Sequence, residues 1–267
     1  MHIVVCVKQT PVGTDVKVDE KTGCLIRSGV ESGINPFDEF AVEEALRLKE
    51  KNPGSTVSAL TMGPQQADTV LKEAVARGCD KIYHISGREF AGSDTWATSY
   101  ALSQAVKKIA SEKPVDLVIC GKQTNDSDTG HIGPQMASWL DWPNAAFVRK
   151  VESVTNNVMR VHRLMEDGYD VIDLPFPAVI SVIKEINTPR IASLRGRLAA
   201  KKAVAAVWTA ADIGCDEAHL GSHSPTSVVK CFAPKHEYHA VTVGGNTPAE
   251  KAAKLLELLK EAQQIQL

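Results

Sequence analysis

Short β-branched runs alternate with stretches of helical periodicity through the first half of this 267-residue chain, and no other feature constrains its fold as much. Residues 2–8, 56–62, 81–85 and 116–120 read as strands. Residues 36–51, 67–77, 94–111 and 133–140 read as helices. A strand that returns parallel to its predecessor needs a crossover, and a helix is the usual one. The expected fold class is therefore α/β: an open, mostly parallel sheet with helices on both faces.

Local signals sharpen the first helix. Asn35 is expected to cap it, Pro36 suits its first position, and Asp38 and Glu39 suit its positive end. Phe37, Phe40, Ala41, Ala45 and Leu48 recur on one face. Before it, residues 16–27 read as a hairpin turning at Glu20-Lys21-Thr22-Gly23.

After Pro143 the pattern changes. Residues 145–151, 158–165, 169–174 and 178–183 read as successive strands. They are expected to extend the sheet in antiparallel fashion or to form a small sheet beside it. Residues 187–230 are weakly patterned. Thr247-Pro248-Ala249-Glu250 is a capping box that opens a last helix, reaching about residue 264. The division expected is an α/β nucleotide-binding domain over 1–185 and a less regular C-terminal arm over 186–267.

A formal net charge of -2 argues against general nucleic-acid binding, which needs a basic field. No apolar run is long enough to span a bilayer. The N-terminus turns polar too soon for a signal peptide and reads as a strand. Cysteines at 6, 24, 79, 120, 215 and 231 form no C-x-x-C pair, which suits reduced thiols in a cytoplasmic protein. Cys215, His219 and His223 have metal-like spacing but no evident fourth ligand, so no metal site is expected. Arg190, Arg195, Arg197, Lys201 and Lys202 form a basic segment without aromatics: a solvated face, or a docking surface for an acidic protein.

Neither G-x-G-x-x-G nor G-x-x-x-x-G-K-[ST] is present, so a standard dinucleotide or P-loop site is unsupported. Ligands of open parallel sheets still bind beyond the carboxyl ends of strands. Three such ends offer candidates against the alternative of ordinary turns: Cys6-Val7-Lys8, Met62-Gly63-Pro64 and the loop GKQTNDSDTGHIGP at 121–134. Asp126 and Asp128 cannot face a phosphate, because like charges repel. They are expected to accept bonds from backbone N–H groups and so shape the loop, or to accept from ribose hydroxyls. An anion would meet backbone N–H groups near residues 129–133, the Thr129 hydroxyl and the positive end of the helix at Pro134. Gly130 and Gly133 would let backbone approach the ligand closely.

Several segments together resemble a known family. Asn35-Pro36-Phe37-Asp38-Glu39-Phe40-Ala41-Val42-Glu43-Glu44-Ala45, Gly121-Lys122-Gln123 with its aspartate loop, and Leu140-Asp141-Trp142-Pro143 are similar to the beta subunit of electron-transfer flavoproteins. Val161-His162-Arg163-Leu164-Met165-Glu166-Asp167-Gly168, followed by Pro177-Ala178-Val179-Ile180-Ser181, resembles that family's signature segment. Asp170 stands where the family has Glu or Gln, and an acidic side chain is kept.

The resemblance implies a Rossmann-like, adenine-nucleotide-binding fold and a heterodimer with an FAD-carrying alpha subunit, on which the 186–267 arm would pack. It places nucleotide contacts on Cys6, Asn35, Pro36, Phe37, Asp38 and Met62, beside which the strand-end reading adds Lys8 and Gly63. It continues them over Gly121, Lys122, Gln123, Thr124, Asn125, Asp126, Ser127, Asp128, Thr129, Gly130, His131 and Ile132, to which the loop reading adds Gly133 and Pro134. Ile186, Asn187, Pro189 and Arg190 match a recognition loop that docks an acyl-CoA dehydrogenase, with Ile186 as the apolar anchor. Simple carriers of the family hold AMP in this subunit. Bifurcating members hold a second FAD, which accepts hydride from NADH and sends electrons both to a low-potential acceptor, ferredoxin or flavodoxin, and towards the dehydrogenase. Thr129 followed by Gly133-Pro134 resembles the bifurcating ending, so FAD is expected over AMP. A nucleotide-binding regulatory module without redox chemistry is the alternative from another class, because a fold does not fix a function.

Overall fold

The computed structural model describes residues 1–12, 32–229 and 240–262. The hairpin expected over 16–27 lies outside the described residues, as do Cys24 and Cys231. The chain divides into two units, 1–231 and 232–267.

The first unit is the α/β body. Its strands and helices run β1 (His2–Cys6), β2 (Gln9–Pro11), β3 (Ser32–Ile34), α1 (Pro36–Lys51), β4 (Thr56–Met62), α2 (Asp68–Arg77), β5 (Lys81–Ile85), α3 (Thr95–Glu112), β6 (Leu117–Gly121) and α4 (Ile132–Leu140). They continue with β7 (Asn144–Thr155), β8 (Val158–Leu164), β9 (Tyr169–Pro175), β10 (Ala178–Val182), α5 (Leu194–Lys202) and β11 (Ala206–Trp208). Nine strands form one sheet in the order β11-β5-β4-β1-β6-β10-β7-β8-β9. Neighbours from β11 to β7 are parallel, and β8 and β9 are added antiparallel. β2 and β3 pair separately, antiparallel.

Alternation along β1 shows how the layers form. Ile3, Val5 and Val7 face one way, into a core shared with Ala41, Ala45, Leu48, Val70 and Leu71 of α1 and α2. Val4 and Cys6 face the other way, into a core shared with Ala101, Ala105, Ile109, Met136 and Leu140 of α3 and α4. Both faces of the central strands are covered, so every residue of β1 and β10 is buried.

Three expectations need correction. β10 does not continue an antiparallel series: it inserts between β6 and β7, parallel to both. Its apolar run AVISV suits a strand buried on both faces, but nothing in it names its neighbours. The weakly patterned region after 187 contains α5, and then β11, which pairs with β5 at the sheet edge. Trp208 of β11 stacks on Tyr83, with centroids 4.8 Å apart, an anchor that three residues of strand periodicity could not announce. Asn35 stands at the N-cap position of α1 but makes no side-chain cap bond, because its amide is used elsewhere.

The second unit contains α6 (Pro248–Glu261). Half of its capping box forms: Thr247 accepts from the Glu250 N–H at 3.2 Å, while Glu250 reaches one residue past the cap and accepts from the Asn246 N–H at 2.8 Å. Leu255 and Leu256 are exposed, and no described residue of α6 is buried.

Candidate functional site

In chain order the sheet grows from β1 outward to β4 and β5, then returns to the other side of β1 with β6. The reversal opens a crevice beyond the carboxyl ends of β1 and β6, the place where parallel sheets hold ligands. Cys6 and Lys8 at the end of β1, residues 35–38 at the start of α1 and the loop from Gly121 converge there.

Asn35 is the clasp. Its Nδ2 donates to the Gln123 carbonyl at 2.8 Å, and its Oδ1 accepts from the Asn125 N–H at 3.2 Å. Its own N–H donates to the Lys8 carbonyl at 2.9 Å. One fully buried amide thus joins the end of β1, the start of α1 and the loop after β6.

Asp38 lies beneath, buried, accepting from the Lys8 N–H at 2.8 Å. Burial pushes its carboxyl up to about 7, while bonds from the Lys8 N–H, the Asn35 amide and the Gly121 N–H favour the ionised form without prevailing. Gly121 is required by this contact. A Cβ there would sit 2.4 Å from Asp38 Oδ1 and 2.7 Å from the Phe37 carbonyl carbon. Cys6 and Cys120 lie on the adjacent strands β1 and β6, and Cys6 pushes the Cys120 thiol up.

The two loop aspartates are tied off by side chains rather than by backbone alone. Lys8 Nζ donates to both oxygens of Asp126 at 2.8 Å. Burial would raise Asp126, but the Lys8 ammonium outweighs it and holds the carboxyl below its usual range. Gln123 Nε2 donates to Asp128, whose backbone is left-handed at φ 58°. Asp128 and Ser127 also donate their N–H groups to the Thr124 carbonyl, which closes the loop on itself. Both carboxylates are thus occupied by partners other than the amides ahead of α4.

α4 begins at Ile132, two residues before Pro134, and no side chain caps it. The N–H groups of Ile132 and Gly133 therefore have no intrahelical partner. Gly130 takes φ 68°, where a side chain would be strained and a Cβ would lie 3.4 Å from the Lys122 carbonyl. Gly133 also serves packing: a Cβ there would meet Ser181 Cβ at 3.3 Å and Cys120 Cβ at 3.9 Å. Its bareness lets α4 pack on β6 and β10. These donors, and a loop whose acids are bonded to Lys8 and Gln123, fit the phosphate end of a nucleotide. His131 reaches Thr95 at the start of α3, 3.3 Å between Nδ1 and Oγ1.

Met62 and Gly63 end β4, on the far side of β1 from the loop. Gly63 is engaged by β5: its N–H donates to the Ile85 carbonyl at 3.0 Å, and its own carbonyl contacts His84 Nε2 at 3.0 Å.

Residues 186–190 lie apart from this crevice, against α1. Asn187 Nδ2 donates to the Phe40 carbonyl at 3.0 Å and to Glu44 at 3.1 Å. Arg190 bonds Glu43 and Glu50. Ile186 is half-buried against the core. The outward side chains are Ile191 and Leu194, 88% and 77% exposed. Sequence reasoning missed Glu43, Glu44 and Glu50; acids at i and i+7 on one helix face were the available signal. His219 lies among Trp96, Tyr100 and Trp139, and no His, Cys, Asp and Glu cluster suited to a metal occurs among the described residues. No helix of the described residues is long and apolar enough to cross a membrane.

Residues 22–213 match the family model described as the electron transfer flavoprotein domain. The chain is 42% identical over 262 residues to the caffeyl-CoA reductase-Etf complex subunit CarD of Acetobacterium woodii, covering 98% of each chain. It is 42% identical to the electron transfer flavoprotein subunit beta of Thermoanaerobacterium thermosaccharolyticum, covering 97% of this chain and 98% of that one. It is also 39% identical over 261 residues to the protein FixA of Azotobacter vinelandii, covering 96% of this chain and 88% of that one.

Proposed function

Since the chain belongs to the electron transfer flavoprotein family, among its beta subunits, we propose that it pairs with an alpha subunit and holds FAD in the crevice between β1 and β6. A flavin there would supply hydride acceptance from NADH and the division of two electrons between a low-potential ferredoxin or flavodoxin and, through the alpha-subunit FAD, an acyl-CoA dehydrogenase. The observation that carries the reading is the uncapped start of α4 beside a loop whose aspartates are already bonded, Asp126 to Lys8 and Asp128 to Gln123. The chain's own contribution is binding and orientation. Amides of residues 130–133 would receive the diphosphate, Asn35 would fix the loop, and Cys6 and Asp38 would close the floor.

FAD is favoured over AMP by the Thr129…Gly133-Pro134 ending and by the similarity to a subunit named for a caffeyl-CoA reductase-Etf complex. AMP as a structural ligand is the competing occupant. The exposed leucines of α6 support the proposal that the 186–267 region packs on the alpha subunit. For docking, Asn187 and Arg190 hold the segment on α1, Ile186 and Pro189 shape it, and Ile191 and Leu194 present the apolar contact.

The test is flavin and nucleotide released per heterodimer on denaturation, after purification with FAD supplied. Two FAD support the reading. One FAD and one AMP would leave a simple electron carrier.

A further inference from the structure

A cavity of about 430 Å³ opens between α1, α2 and the 189–197 segment, lined by Glu39, Glu73, Arg77, Arg190, Ile191 and Arg197 among others. Its three arginines are differently committed. Arg190 is saturated by Glu43 and Glu50. Arg77 donates to Glu39 through Nη2, but its Nη1 is buried without a partner. Such an orphan donor is costly unless something else completes it. The Arg197 guanidinium makes no hydrogen bond or ion pair among the described residues.

The acids of the cavity do not answer this demand. Glu39 is engaged by Arg77. Burial pushes the Glu73 carboxyl up, towards its neutral form, against the opposing charge of Arg77. α5 itself carries Arg195, Arg197, Lys201 and Lys202 and no acid. Ile191, on the cavity lining, is 88% exposed, and on α5 Leu194 and Leu198 are 77% and 54% exposed. Leu194 and Leu198, four residues apart, share one face of α5.

We propose that this cavity receives a carboxylate side chain of the docked dehydrogenase, bonded by Arg197 beside the charge of Arg77. The inference rests on the docking reading above and adds the chemistry of the contact. A guanidinium fork matches a carboxylate, and apolar contact at Ile191 would exclude water beside the bond. A free small anion would satisfy Arg197 but leave Ile191 and the leucines of α5 exposed. A protein surface answers both.

The experiment uses the heterodimer with an acyl-CoA dehydrogenase as acceptor. The readouts are KM for the dehydrogenase, kcat at saturation, and the slope of log KM against log salt. Arg197→Glu should raise KM about tenfold or more and flatten the salt slope, leaving kcat and flavin content unchanged, and Arg197→Lys should recover part of the loss. Leu194→Ala should raise KM with the salt slope intact. If Leu194→Ala raises KM and Arg197→Glu does not, the docking face stands and the carboxylate site is overturned. If neither variant moves KM, both readings fall. Calorimetric binding of inorganic phosphate that Arg197→Glu abolishes, with KM unchanged, would make this a small-anion site and overturn the proposal.

Discussion

Arg190 grips Glu43 with three donors: its backbone N–H at 3.0 Å and Nε at 2.7 Å to Oε2, and Nη2 at 3.2 Å to Oε1. Nη1 continues to Glu50, two turns along α1, at 2.6 Å. Glu43 is only 5% exposed. Burial alone would raise its carboxyl, but the bonds from Arg190 and Arg47 outweigh burial and hold it below the usual range.

Arg190→Ala would leave Glu43 with Arg47 as its one remaining charged partner among the described residues. The expected loss is about 2 kcal/mol, the scale of charge-assisted bonds to a buried acceptor. Arg190→Lys should recover little, because one ammonium cannot span two carboxylates. Urea midpoints of the three proteins check this.

Asp38 makes stability depend on pH. Its folded pKa, about 7, lies above the ordinary 3.8, so the folded state binds more protons over that interval. The contribution is complete below pH 3.8 and is lost as pH rises through 7. The full swing is up to about 4 kcal/mol at 1.36 kcal/mol per unit. Asp38→Asn should flatten the stability profile between these limits. A wild-type profile with no fall there would contradict the assignment.

The Lys8–Asp126 pair should behave differently. Lys8 is 44% exposed, and an exposed pair contributes under about 1 kcal/mol. Lys8→Ala should leave global stability nearly unchanged. Hydrogen exchange across residues 124–131 should rise, because the loop loses its tie to the end of β1.

The loop glycines separate by cause. Gly121→Ala forces a Cβ into Asp38 and the α1 backbone, so severe destabilisation is expected without any ligand. Gly133→Val should lower the melting temperature of ligand-free protein by pressing on Ser181. If Gly133→Val lost nucleotide while keeping its melting temperature, the packing role would be wrong.

Much of this protein was legible in its sequence. The strand–helix alternation, the parallel sheet, the start of α1 at Pro36 and the cap at Thr247 follow from signals a few residues long, because backbone periodicity and capping are local chemistry. The loop after β6 was also legible as the candidate site, since parallel sheets place ligands at such ends. Tertiary structure alone decided the rest. β10, apolar but for Ser181, settled between β6 and β7 because such a strand needs cover on both faces, whatever its neighbours in sequence. Asn35 left its helix cap for Gln123, 88 residues away, where a buried amide could satisfy both ends. Arg190 found Glu43 across 147 residues. Such pairs exist only after folding brings the groups together, so neither partner announces the other.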